Sequence, residues 1–202
     1  MLEVKELACM RDERCLFSGL NFAVAAGELV QVEGRNGAGK TTLIRILTGL
    51  MRPDEGQVTW HGEPINEVRD EYHHALLYIG HQAGVKPELT VLENLSYYQE
   101  VSQSGRCDLA EAIRSVGLFG YEDVMASQLS AGQQRRVALA RLWMSEHPLW
   151  VLDEPFTAID KRGVEILQQL FMRHAEQGGS VILTSHQALS SVSCRRISLE
   201  GV

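Results

Sequence analysis

No apolar run in this chain approaches the length of a membrane span, and the N-terminus lacks the charged-then-apolar pattern of a secretory signal. The chain is expected to be made and kept in the cytoplasm, so any membrane role must come through a partner. An excess of positive charge is missing too. Net charge is −7, and Arg135-Arg136 and Arg195-Arg196 are only local pairs, so nucleic acid is not an expected partner. The four cysteines, Cys9, Cys15, Cys107 and Cys194, include no CxxC pair. Scattered cysteines in a cytosolic chain read as buried and reduced. The adjacent His73-His74 reads as a helix-surface feature rather than a metal site. There is no CxxCH, which excludes covalent haem, and no internal repeat or low-complexity linker.

What is present begins with size. The 202 residues, 45% of them hydrophobic, suit one domain with an ordinary core, or one domain with a lobe inserted. Alternation marks strands at Leu2 to Cys9 and, on either side of Ser18-Gly19, a second and a third between Cys15 and Ala25. Asp12-Glu13 reads as the turn between the first two. Short strands follow at Gln57 to Trp60 and Leu76 to Ile79, with a short helix at Val68 to His74. From Gln82 the character changes. A loop over 83–89 leads to three helix starts: Thr90 with Glu93, Asp108 with Glu111, and Ser130 with Gln133, each spaced as a capping box. Residues 87–134 thus read as helical material inserted into an alternating α/β chain. Alternation resumes with a strand at Leu149 to Leu152, a helix at Asp160 to Gln177, a strand at Ser180 to Thr184, a short helix and a last strand at Arg196 to Leu199.

The stretch that organises the chain is GRNGAGKTT: Gly34, Arg35, Asn36, Gly37, Ala38, Gly39, Lys40, Thr41 and Thr42. An apolar strand, Leu29 to Glu33, precedes it, and a helical run with Leu43, Ile46, Leu47 and Leu50 follows. Strand, glycine loop, helix is the order a phosphate cradle needs. The glycines let successive amides turn around an anion, and the helix dipole points at the same spot. Lys40 supplies a charge for the β- and γ-phosphates and Thr41 a hydroxyl for Mg²⁺. The chain is expected to bind a nucleoside triphosphate.

A second site is LWVLDEP, Leu149 to Pro155. A buried apolar strand that ends in two acids must meet a cation or a solvated cleft, because burying one unpaired carboxylate costs roughly several kcal/mol. Beside a phosphate loop, Asp153 fits the Mg²⁺ shell through a water, and Glu154 fits the polarisation of an attacking water. The bland alternative is that both acids cap the next turn. A third site is LSAGQQRRVALAR, from Leu129. Ser130, Ala131, Gly132 and Gln133 lie at a helix N-terminus, where an anion can bind. A capping box explains Ser130 and Gln133 but not Gly132.

In this order, the motifs resemble those of ATP-binding cassette (ABC) ATPases. LSAGQ resembles the family's LSGGQ signature, with Ala131 in place of the middle glycine. Gln82 matches the family's glutamine loop, Asp160 its D-loop, and His186 its switch histidine. The resemblance implies an α/β P-loop NTPase fold. It would have a RecA-like core, an N-terminal antiparallel β-subdomain and an inserted α-helical subdomain, all in one domain. It implies ATP and Mg²⁺ as ligands, with Thr41, Gln82 and Asp153 around the metal. It implies Glu154, His186, Lys40 and Gln82 in catalysis. It also implies a head-to-tail pair of copies, in which Ser130, Ala131, Gly132, Gln133 and Asp160 act on the nucleotide of the other copy. The family's adenine-stacking aromatic is missing. Cys9, Met10 and Arg11 hold its place, and Arg11 can lay its guanidinium over a base.

Within the family, GRNGAGKTTLIRILTGL, LSAGQQRRVALARLW and LWVLDEPFTAID together resemble the ATP-binding subunits of the bacterial cytochrome c maturation system. This implies polytopic membrane partners of that system, a place on the cytoplasmic face of the inner membrane, and haem export or release of a haem-loaded chaperone. The alternatives are the ATPase of another small exporter or importer, or a soluble cassette with no transport role.

Overall fold

A computed structural model describes residues 1–11, 14–102, 107–186, 189 and 193–199. In chain order the elements are β1 (Leu2–Arg11), β2 (Arg14–Val24), β3 (Leu29–Glu33), α1 (Lys40–Leu47), β4 (Glu55–Trp60), β5 (Glu63–Pro64), α2 (Arg69–Ala75) and β6 (Leu76–Ile79). Then come α3 (Val91–Val101), α4 (Leu109–Ser115), a 3₁₀ turn at Ala126–Gln128, α5 (Ala131–Met144), β7 (Leu149–Asp153), α6 (Lys161–Glu176), β8 (Ser180–Thr184) and β9 (Arg195–Ser198). The expected turn at Asp12-Glu13 lies outside the described residues, as does most of the segment expected to hold a short helix before β9. The chain divides into two compact units. One holds Met1–Tyr78, His147–Glu154 and Gln168–Val202; the other holds Ile79–Glu146 and Pro155–Leu167.

The first unit carries two sheets. One is antiparallel, in the order β2-β1-β4-β5; the other has the order β6-β7-β8-β3-β9. In the second sheet β3 runs parallel to β8 and β9, and β7 runs parallel to β8. Every residue of β7 and β8 is buried, as are the first four of β3. Such near-continuous apolar runs are what a parallel sheet covered on both faces requires. Leu43, Ile44, Ile46 and Leu47 of α1 join Val30, Val32, Val151 and Ile182 in one core with the inner faces of β1, β2 and β4.

The antiparallel sheet corrects one expectation. Ser18-Gly19 does not separate two strands, because β2 runs through it. The register slips by one residue of β1 between Val4 and Leu7 and by one residue of β2 between Leu7 and Cys9. Glu6 and Gly19 take positive φ at these slips, so both are β-bulges. Asn21 ties the two together: it accepts from the Glu6 amide at 2.8 Å and donates to the Gly19 carbonyl at 3.0 Å. Gly56 is required opposite, since a Cβ there would collide with the carbonyl oxygens of Lys5 and Glu6.

The second unit has its own apolar core, built from Val91, Leu95, Ile113, Leu118, Val137 and Ala140 among others. Thr90 and Ser130 form reciprocal capping boxes with Glu93 and Gln133. Asp108 caps α4 by accepting from the Ala110 and Glu111 amides. The Arg141 guanidinium lies 3.4 Å from the centroid of the Tyr98 ring, and burial pulls its pKa down to about 10. All four cysteines are free thiols; Cys9 is buried, and burial raises its pKa.

His174 of α6 stacks flat on Trp150 of β7, with ring centroids 3.7 Å apart. Gly179 makes room for it, since a Cβ there would overlap the imidazole. Burial lowers the His174 pKa below 6.5, although a hydrogen bond with the Pro148 backbone opposes the shift. The unfolded chain therefore binds the proton more readily than the folded one. This group's stabilisation is present above pH 6.5 and is lost as pH falls below it. Urea unfolding of the wild type is expected to lose stability from pH 7 to pH 5.5, and His174→Phe, which keeps a ring on Trp150, is expected to flatten that slope. Equal slopes would remove His174 as the cause.

Candidate functional site

The register of the parallel sheet brings three sequence motifs to one sheet end. Val32 lies beside Thr184, and Thr184 lies beside Asp153. The phosphate loop leaves β3 just past Val32, the acid pair ends β7, and His186 follows β8. This is the carboxyl end of the strands, where open parallel sheets place their ligands.

In the loop, Gly39 is the N-cap of α1 at φ 94°, with no side chain capping the helix. The first amides of α1 are thus left for a ligand. Gly37 is at φ 81° with open space where a Cβ would be, while a Cβ on Gly39 would press on Leu16 and Phe17. The Ala38 amide donates to the Arg35 carbonyl at 3.1 Å, which tightens the turn. Lys40 folds back over the loop. Its Nζ donates to the Gly34 carbonyl at 2.8 Å and the Arg35 carbonyl at 3.2 Å. The ammonium is thereby held above the cradle instead of extending into solvent. Arg35, Asn36, Gly37 and Thr41 are exposed; Ala38, Lys40 and Thr42 are buried.

At the end of β7, Asp153 is 1% exposed and its Oδ1 accepts from the Thr184 hydroxyl at 2.7 Å. Glu154 takes φ 50°, a left-handed conformation that is uncommon for a glutamate. Its side chain is 18% exposed, and Oε1 lies 3.5 Å from Nε2 of His186, itself 57% exposed. A half-exposed imidazole facing a mostly enclosed carboxylate marks a cleft edge, not a packed core.

In the second unit, Ser130 is the N-cap of α5. Its hydroxyl accepts from the Gln133 amide at 3.3 Å, and Gln133 Oε1 accepts from the Ser130 amide at 2.9 Å. The capping reading therefore holds for both residues. It leaves Gly132, where a Cβ would sit 3.0 Å from the Ala158 carbonyl. Ala158 is at φ 61°, so the signature glycine and the strained D-loop lie against each other. Asp160 Oδ1 accepts from Arg136 at 2.9 Å and from the Gly163 amide at 3.2 Å, which pins the D-loop to α5. Ser130, Ala131 and Gln82 are exposed. Arg135 donates to the Gly80 carbonyl at 2.6 Å and so anchors the start of the Gln82 loop from α5. Where the adenine-stacking ring would be, Cys9 is buried while Met10 and Arg11 are exposed.

Three residues in this arrangement escape motif reading: Thr184, Arg135 and Gln31. Gln31 is 1% exposed in the middle of β3, and its Nε2 donates to the Ser185 carbonyl, just before His186, at 3.4 Å. Gln31 and Thr184 do leave a trace in the sequence. Gln31 interrupts the apolar residues of LVQVE, and Thr184 follows the apolar run VIL in SVILT.

The ABC transporter family profile matches residues 17–157. The cytochrome c biogenesis ATP-binding export protein CcmA of Escherichia coli O157:H7 is 60% identical over 201 residues, covering 98% of this chain and 96% of that protein. CcmA of Escherichia coli strain K12 is 59% identical over the same span. Among solved structures, the dimeric bacterial ABC transporter cassette MJ0796 matches with a TM-score of 0.81 at 27% identity, covering 93% of this chain and 88% of its own. The same cassette in a dimeric post-hydrolysis state with ADP and Pi matches with a TM-score of 0.80. An ABC transporter ATP-binding protein from Pyrococcus furiosus, 24% identical, matches with a TM-score of 0.84 over 98% of this chain and 96% of its own, and supports the fold alone. The mixed α/β architecture is thus that of a P-loop NTPase, and the chain belongs to the ABC transporter family of ATP-binding, ATP-hydrolysing cassettes.

Proposed function

We propose that the chain is the ATP-hydrolysing subunit of an ABC transporter of cytochrome c biogenesis. In this role it powers haem export, or release of a haem-loaded chaperone, through a polytopic membrane partner on the cytoplasmic face of the inner membrane. The observation that carries the reading is the 60% identity over 98% of the chain to a cytochrome c biogenesis ATP-binding export protein. Among the described residues, no helix is long and apolar enough to cross a membrane, and in the proposed assembly the partner supplies the span. The whole chain works as one cassette domain, with residues 87–134 as its inserted helical part.

The proposed chemistry follows from the geometry. Loop amides from Gly34 to Thr42 and the Lys40 ammonium hold the β- and γ-phosphates and stabilise charge that develops on transfer. Lys40 exchanges its carbonyl partners for phosphate oxygens. Asp153, Thr41 and Gln82 are hard oxygen donors of the kind Mg²⁺ takes, and a carboxylate as buried as Asp153 fits a dication nearby. Mg²⁺ held by these residues would neutralise charge on the phosphate oxygens. Glu154 orients and deprotonates the attacking water, and His186 holds the γ-phosphate side of the cleft. Ser130, Ala131, Gly132 and Gln133, with Asp160, serve the nucleotide of a second copy. ATP then joins two chains head to tail, and loss of the γ-phosphate lets them part. The dimeric form of the MJ0796 cassette supports this assembly.

Glu154→Gln is expected to bind ATP, to lose about 100-fold or more in kcat, and to accumulate as a dimer on a sizing column. Near-normal turnover would displace Glu154 as the base. Lys40→Ala is expected to weaken ATP binding about tenfold or more in an equilibrium assay, since it removes charged hydrogen bonds. The partner is tested by capturing ATP-loaded Glu154→Gln from bacterial membranes. Recovery of a polytopic protein together with haem-handling proteins is expected. Recovery of an unrelated permease would discard the cytochrome c assignment, and recovery of only soluble protein would discard the transporter role.

A further inference from the structure

We infer that Thr184 is a positioning residue for ATP hydrolysis, whose single hydroxyl sets the Asp153 carboxylate and the Glu154 backbone at once. This rests on the proposed roles of Asp153 and Glu154. Thr184 is the last residue of β8 and is 0% exposed. Its hydroxyl carries one proton and two lone pairs. The nearby carboxylate only accepts and the nearby amide only donates, so the orientation is fixed. The proton goes to Asp153 Oδ1 at 2.7 Å, and a lone pair takes the Glu154 N–H at 2.9 Å.

Each bond has a separate consequence. The first holds one carboxylate oxygen of Asp153 within the sheet, so the plane of the group is set and its other oxygen has a defined direction. The second holds the peptide that enters Glu154 at φ 50°, the bend that turns the glutamate side chain out of the strand direction and towards His186. Strand packing alone does not demand this side chain. Valine has the same branched shape and would extend the apolar run Val181-Ile182-Leu183. The hydroxyl is the only difference, and both of its bonds go to the acid pair. Removing it takes one hydrogen bond from the buried Asp153 carboxylate and one from the part-buried Glu154 amide. Positioning bonds to metal-site carboxylates are commonly worth about 10–100-fold in metal affinity or activity.

The test uses the full chain with three variants, Thr184→Val, Thr184→Ser and Glu154→Gln, and two readouts. One is steady-state ATPase activity. The other is equilibrium binding of a fluorescent ATP analogue as Mg²⁺ is raised. Thr184→Val is expected to lower kcat about 10–100-fold, leave nucleotide affinity without Mg²⁺ near wild type, and raise the half-saturating Mg²⁺ concentration about tenfold. Thr184→Ser, which restores the hydroxyl but not the methyl, is expected to recover kcat to within about threefold of wild type. Adding Thr184→Val to Glu154→Gln is expected to cost little further kcat, because the two act on one step, yet still to shift the Mg²⁺ dependence through Asp153. If Val does not fold, Thr184→Ala against Thr184→Ser reads the same difference. The inference is overturned if the hydroxyl-free variant keeps wild-type kcat and Mg²⁺ dependence while Glu154→Gln is inactive. It is also overturned if Ser is as impaired as Val. An active Glu154→Gln would instead overturn the site assignment on which the inference rests.

Discussion

Parallel pairing of three buried strands, β3, β8 and β7, is the constraint on which the site depends. Side chains in a parallel sheet keep register along the ladder, so Val32, Thr184 and Asp153 stand side by side. One residue of slip would carry Asp153 to the other face. The apolar residues that enforce the register, such as Val30, Val151 and Ile182, also bury the sheet. Core packing and catalytic geometry therefore share one cause. The same packing exacts a cost in polar groups, which must find partners once water is gone. Gln31 and Thr184 meet that demand in directions that also fix the approach to His186 and the acid pair.

The two anion-binding features differ in how they are held. The phosphate loop has its lysine folded over it, so a positive charge waits where phosphate would arrive. The signature end of α5 is already capped by Ser130 and Gln133, and its glycine is tied to a strained D-loop. A capped helix end has less spare donor capacity. This fits a site that adds to a nucleotide already bound by another copy, not one that captures nucleotide alone. Asp160, which the family resemblance assigned to contact across the pair, here holds Arg136. In the single chain the D-loop is thus locked to α5 from within.

Much of this was legible in the sequence, where local chemistry leaves a local signature. Strands Leu76–Ile79 and Ser180–Thr184 carry the bounds that alternation and flanking residues indicate. The capping boxes at Thr90 and Ser130 form as their spacing implies. The failures are non-local. Ser18-Gly19 looks like a turn because a bulge and a turn ask for the same residues, and only the pairing with β1 distinguishes them. Arg135 reads only as half of a local arginine pair, and no local window shows that it is buried and bonded to a carbonyl 55 positions away. Thr184 looks like a β-former at the end of a strand. Its role depends on a register with β7 that no local window contains.

In the proposed pair each ATP is shared, held by the phosphate loop of one copy and by Ser130 and Gly132 of the other. The most direct measurement mixes two inactive chains, Lys40→Ala and Ser130→Arg, and follows ATP hydrolysis. A mixed pair contains one composite site with an intact loop and an intact signature. If the sites are shared, the mixture regains hydrolysis that neither chain shows alone. If the mixture stays as inactive as its parts, the signature acts on its own chain's nucleotide and the shared-site account is wrong.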